Sequence, residues 1–96
     1  MPRYIPAELK GKEAHNLPEN LKRLTHRERE VFALILEAQT AKETSRALNI
    51  TVRTAGQHRE RVIEKLAARS ATDVLRIVRE AEHMGLVAQS DLEPRP

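Results

Sequence analysis

Three tetrads in this chain share one arrangement: Thr25-His26-Arg27-Glu28, Thr40-Ala41-Lys42-Glu43 and Ser70-Ala71-Thr72-Asp73. Each sets a hydroxyl three residues ahead of a carboxylate. The hydroxyl accepts a free amide at a helix start and the carboxylate reaches back to the cap residue, which is the capping box. Aspartate makes the third a weaker version. Thr51 caps a fourth helix without a reciprocal acid. Between residues 21 and 87 the only glycines or prolines are Gly56 and Gly85, so neither the turn residues nor the alternation of a sheet is present. The chain is predicted to be all-α, with helices near 26–38, 41–48, 52–67 and 71–84.

Apolar spacing assigns the faces. Val31, Leu34, Ile35 and Ala38 form the stripe of the first predicted helix, widened by Phe32 and Leu36. The second is about two turns long and needs its neighbours to stay folded. The third directs Ala55, Val62 and Leu66 inward, which turns Arg53, Gln57, Glu60 and Glu64 outward with Arg61 at the edge. In the fourth, Val74, Ile77, Val78 and Ala81 make the stripe, and Leu75 falls outside it. Residues 1–20, with Pro2, Pro6 and Pro18, read as an arm with at most a short helix around Ala7–Ala14. Residues 88–96 read as a solvated tail, leaving 21–87 as the domain.

Lys and Arg number 17 against 14 Asp and Glu, a formal net charge of +3, so the location of the charge matters more than its sum. Block 52–70 holds five Lys or Arg against two Glu and faces an anionic partner. With no cysteine there is no disulfide framework, thiolate metal site or thiol nucleophile. His15, His26, His58 and His83 are scattered, so no metal or other cofactor is expected. No catalytic triad stands out, and the chain is not expected to be an enzyme. Tyr4 and Phe32 are the only aromatic residues, too few to stack single-stranded bases. No membrane span or signal-peptide core is visible, which places the chain in the cytoplasm.

A short helix, a turn at Asn49 and a longer basic helix make a helix-turn-helix candidate. Asn49 tolerates the left-handed backbone of a tight helix end. On this pattern helix 52–67 enters a DNA major groove. Arg53, Arg61 and Lys65 are the phosphate candidates, with Lys42 and Thr54 beside them. Gln57 is matched to an adenine edge; Glu60 either accepts from cytosine, or is repelled by phosphates or pairs with Lys65 or another neighbour. Gly56 allows a close approach of backbone to DNA, and His58 is as well suited to packing as to phosphate contact. Arg59 points toward the core side, where it snorkels or pairs with Glu28 or Glu30.

Leu24-Thr25-His26-Arg27-Glu28-Arg29-Glu30-Val31 resembles the opening of the LuxR/FixJ/GerE-type DNA-binding domain. Lys42-Glu43, Arg46, Leu48, Ile50, Arg53-Thr54, His58-Arg59, Val62, Glu64-Lys65-Leu66 and Ala68-Arg69-Ser70 continue the match without gaps over Leu24–Ser70. Sigma-factor region four shares the opening, but His58-Arg59 and the Lys65–Ser70 ending fit the LuxR/FixJ type better. The resemblance implies a four-helix domain, sequence-specific duplex binding by the third helix, and a homodimer through the fourth, for which Val74, Leu75 and Val78 are the candidates. His26 stands where the family has Pro, Ala38 where it has Gly, Thr44 where it has Ile and Ala55 where it has Val. Gly56 and Glu60 occupy positions that face bases in similar proteins. The rival reading is an interaction protein that pairs with RNA polymerase, a sigma factor or a full-length related regulator and binds DNA weakly.

Overall fold

The structure, a computed structural model, describes residues 11–94. Six helices follow in order: α1 (Lys12–Lys22), α2 (His26–Leu36), α3 (Ala41–Leu48), α4 (Val52–Lys65), α5 (Ala71–His83) and α6 (Gln89–Leu92). The four helices expected from the sequence are α2 to α5, so the four-helix expectation is two helices short.

The cap chemistry forms as the tetrads dictate. Thr25 and Thr40 each accept the amide three residues on, and Glu28 and Glu43 accept the amides of Thr25 and Thr40 at 2.9 and 2.8 Å. The Thr40 amide first, then the Thr40 side chain, hold the Glu43 carboxyl below its ordinary range. The third tetrad closes differently. Ser70 accepts from the Asp73 amide, but the shorter aspartate takes the amide of Arg69 at 2.9 Å, one residue before the cap.

Helices α2 and α4 end earlier than expected because the chain turns left-handed after each. Ala38 has φ 60° and Ala67 φ 58°, conformations that glycine adopts without steric cost. The turn after α2 is closed by the Gln39 amide on the Leu34 carbonyl at 3.0 Å, and that after α4 by Ala68 on Ile63 at 3.0 Å. Asn49, at φ 55°, ends α3 in the same way, as its position in the turn led one to expect.

Residues 12–22 are not an arm. Ala14, Leu17 and Leu21 lie three and four apart, face the core and are buried, and α1 packs on α5. The boundary expected at residue 20 therefore runs through a helix; the part of the expected short helix that falls on residues 7–10 lies outside the described residues. Pro18 sits past the first turn and leaves the helix one amide short. The tail is likewise part of the fold as far as α6, whose Leu92 is 4% exposed and joins the core cluster. Arg29 ties the two additions together: its guanidinium donates to the Leu21 carbonyl at 3.0 Å and to the Asp91 carbonyl at 3.4 Å.

The core is built around Phe32, Leu17, Ile35, Leu66 and Ile77, all fully buried. Helix α2 packs on α4 and α5, and α3 packs on α4. The α3–α4 pair is thus held from behind, with its outer side left to solvent.

Candidate nucleic-acid interface

Helix α4 is fixed by what it buries. Ala55 and Val62 have no exposed surface, and Leu66 caps the same stripe. At roughly 100° per residue the opposite face carries Arg53, Gln57, Glu60 and Glu64, with Arg61 at its edge, and all five are exposed. The start of α4 is set by Thr51, whose hydroxyl oxygen accepts the Thr54 amide at 3.0 Å and donates its own proton to the Thr54 hydroxyl at 2.9 Å. Thr54 is half-buried, as are Gly56 and His58. A Cβ added at Gly56 would meet nothing within 4 Å, so the groove beside the helix backbone is open there.

Helix α3 lies against α4 and adds Lys42 and Arg46, four residues apart and therefore on one side of the helix. Both are exposed. Arg46 appeared in the sequence only as a matched position; its spacing from Lys42 was the signal that it shares that face. Among the described residues, Lys42, Arg46, Arg53 and Arg61 enter no ion pair, whereas six pairs form elsewhere. Four exposed cations without an ion pair among the described residues thus stand on α3 and α4, Arg46 near enough to Glu43 to help lower its carboxyl. Val52, 51% exposed at the first turn of α4, is a second residue of this surface that sequence reasoning passed over.

Two basic residues of α4 are committed to the fold instead. The Lys65 ammonium sits 2.7 Å from a Glu28 carboxylate oxygen and donates to the Arg23 carbonyl at 3.2 Å. Its side chain is 28% exposed and that of Glu28 4%. Burial alone would raise the Glu28 pKa; the Lys65 hydrogen bond, the Thr25 amide and the lysine charge together outweigh it and leave the carboxyl below its ordinary value. The expectation that Lys65 is a free phosphate contact is corrected accordingly: α4 arrives with a buried acid of α2 within reach, and the lysine answers it. Arg59 pairs with neither Glu28 nor Glu30. Its guanidinium donates to the Gln39 carbonyl at 2.8 Å and pins α4 to the turn between α2 and α3.

The expected dimer residues separate. Val74 and Val78 belong to the stripe of α5 that is buried in the core of a single chain, so they are not available to a second copy. Leu75 is half-buried and lines an open groove of about 600 Å³ with Thr72, Arg79, His83 and Met84. Beside it Arg76 donates to Asp73 at 2.7 Å and to Glu80 at 2.9 Å.

Among the described residues no three His, Cys, Asp or Glu side chains cluster as a metal would require. No described helix is long and apolar enough to cross a membrane.

Residues 22–78, more than half of the chain, match the family described as bacterial regulatory proteins, luxR family. Over 53 residues the chain is 42% identical to the tetrathionate response regulatory protein TtrR of Salmonella typhimurium. That stretch is 55% of this chain and 26% of the relative, so the chain matches about a quarter of that protein's length. No solved structure matches. The matched segment begins at the last residue of α1 and ends within α5, so nearly all of α1 and the whole of α6 lie outside it.

Proposed function

Because the chain belongs to the luxR family of bacterial regulatory proteins and is a DNA-binding transcription regulator, we propose that α4 is its recognition helix, seated in the major groove of a specific duplex site. The observation that carries this reading is the group of four exposed, unpaired cations on the outer side of α3 and α4, set around a helix whose opposite stripe is fully buried. Lys42 and Arg46 meet the phosphates on one side of the groove, while Arg53 and Arg61 meet them along α4. Gln57 and Glu60 stand between them, at the base edges. His58 and Thr54, half-buried, support the helix at the rim of this surface.

Self-association belongs to the same proposal, moved from Val74 and Val78 to the accessible side of α5. Leu75 and Met84, the latter 43% exposed, supply the apolar surface of the groove there. Two copies meeting through it would present two recognition helices to half-sites about one helical turn apart.

Fluorescence anisotropy on labelled genomic duplexes, titrated at several salt concentrations, tests the reading. Affinity should fall by orders of magnitude between roughly 50 and 200 mM salt. Arg61→Ala should weaken all duplexes alike and flatten the salt slope by about one. Folded protein that binds no duplex at low salt would overturn the proposal and favour an interaction protein that reaches RNA polymerase or a related regulator through the α5 groove. Sedimentation of Leu75→Glu beside the parent chain, free and on DNA, tests the self-association.

A further inference from the structure

The outward face of α4 has no cation at its centre. Arg53 opens it and Arg61 borders it, and between them the outward groups are Gln57 and Glu60, with Gly56 alongside. Glu60 is exposed and enters no ion pair among the described residues. On a helix that approaches DNA, a carboxylate so placed is repelled by phosphates unless it meets a hydrogen-bond donor. An ionised carboxylate only accepts. In the major groove the bases offer just two donors, the N4 amino group of cytosine and the N6 amino group of adenine. Guanine and thymine present acceptors at O6, N7 and O4. Glu60 therefore addresses the amino-bearing base of a pair, cytosine in G·C or adenine in A·T. Adenine places its N7 acceptor next to the amino group, against the second carboxylate oxygen, and cytosine does not. Cytosine is the better match.

Gln57 carries both a donor and an acceptor, the pair that adenine N6 and N7 require. Three residues of α-helix rise ~4.5 Å, close to the ~3.4 Å between base pairs, so the two side chains fall on neighbouring steps. Gly56, with open space where its Cβ would be, lets the backbone beside Gln57 come nearer the groove floor.

We propose that α4 reads a half-site in which Glu60 selects cytosine and Gln57 selects adenine at the adjoining base pair. This rests on the reading of α4 as the recognition helix and adds the identity of what it reads. Arg53 and Arg61 flank the two readers, neutralise phosphates on either side and offset the repulsion of Glu60.

The test is selection from a randomised duplex pool at low salt with the full chain, repeated with Glu60→Gln and Gln57→Ala, each checked for an intact melting transition. The parent should enrich a motif with adjacent adenine and cytosine columns. Glu60→Gln should move the cytosine column to adenine, because the new amide adds a donor for N7. Gln57→Ala should relax the neighbouring column by about tenfold to a hundredfold and leave the cytosine column in place. A parent motif that Glu60→Gln leaves unchanged, or one in which the column it alters is an A·T pair and not a G·C pair, would overturn the assignment while leaving α4 as the recognition helix. A pool from which the folded parent retains nothing would overturn the recognition-helix reading and the assignment with it.

Discussion

Lys65 has two roles to choose between, and its replacement by methionine separates them. Methionine keeps most of the aliphatic length and removes the charge. In the parent, the Glu28 carboxylate is 4% exposed and is held by Lys65 at 2.7 Å and by the Thr25 amide at 2.9 Å. Lys65→Met leaves that carboxylate in place with only the amide. Breaking a fully buried pair from one side costs about 3–5 kcal/mol. The lysine end here is 28% exposed, so water reaches part of the vacated space and the expected loss is smaller, about 2 kcal/mol. For a domain of this size that lowers Tm by roughly 10 °C. The loss must also depend on pH. The folded-state pKa of Glu28 lies below the ordinary value of 4.5, so its contribution is present above that pH and disappears as pH falls through the folded value. With Lys65 gone, burial dominates and the carboxyl takes up a proton more readily. The gap between parent and variant should therefore narrow as pH falls from the variant's raised carboxyl value through the parent's lowered one. Urea denaturation at pH 7 and at pH 3 measures both effects. Unchanged stability with a uniform loss of DNA affinity would refute the reasoning and return Lys65 to the phosphate contacts.

Four further outcomes follow from single sites. Gly56→Ala should raise stability by about 0.5–1 kcal/mol in thermal melts, since the added Cβ meets nothing within 4 Å in mid-helix; a drop would mean that the backbone there is not helical. Ala38→Gly, at φ 60°, should stabilise by about 0.5–1 kcal/mol, the left-handed penalty outweighing the added freedom of the unfolded chain. Thr44→Val should stabilise the fold in urea titrations by about 1 kcal/mol, because the Thr44 hydroxyl is fully buried without a partner. Leu92→Ala should cost about 2–3 kcal/mol, as expected of a core residue and not of a solvated tail; a loss below half a kcal/mol in the same titration would show that α6 is not anchored.

What the sequence made legible was whatever is settled within four residues. The starts of α2, α3 and α5 follow from a hydroxyl and a carboxylate that find backbone amides of their own turn, and the turn at Asn49 follows from its tolerance of positive φ. Helix α1 lacks those cues. It begins at Gly11 without a side-chain cap and holds Pro18, and its three buried residues are held by α5, some sixty residues away in the chain. Helix α6 is one turn long, too short for any period to register. The family match also leaves out nearly all of α1 and the whole of α6.

The same distinction divides the basic residues of α4. On a helical projection Arg61 and Lys65 lie on the same side of the outward face, Arg61 at its edge and Lys65 further round toward the buried stripe, but the projection does not name a partner for either. The fold decides. Lys65 is met by an acid 37 positions earlier, and Arg59 by a carbonyl 20 positions earlier, whereas Arg61 finds no acid among the described residues. A cation is therefore free for phosphate only where the fold brings it no acceptor, and that is a property of the tertiary structure. The apolar stripe of α5 obeys the same logic in reverse. Val74 and Val78 satisfy the spacing of a dimer face as well as that of a core face, and the packing of α1 and α2 on α5 decides for the core. What remains to a second copy is the side that α1 leaves uncovered, where Leu75 and Met84 line the groove. There Met84 also lies so close to Gly11 that a Cβ on the glycine would come within 2.8 Å of the methionine methyl. The residue that caps the start of α1 thus abuts the proposed contact surface, so a shift of that end of α1 changes the shape of the groove through which two copies would meet.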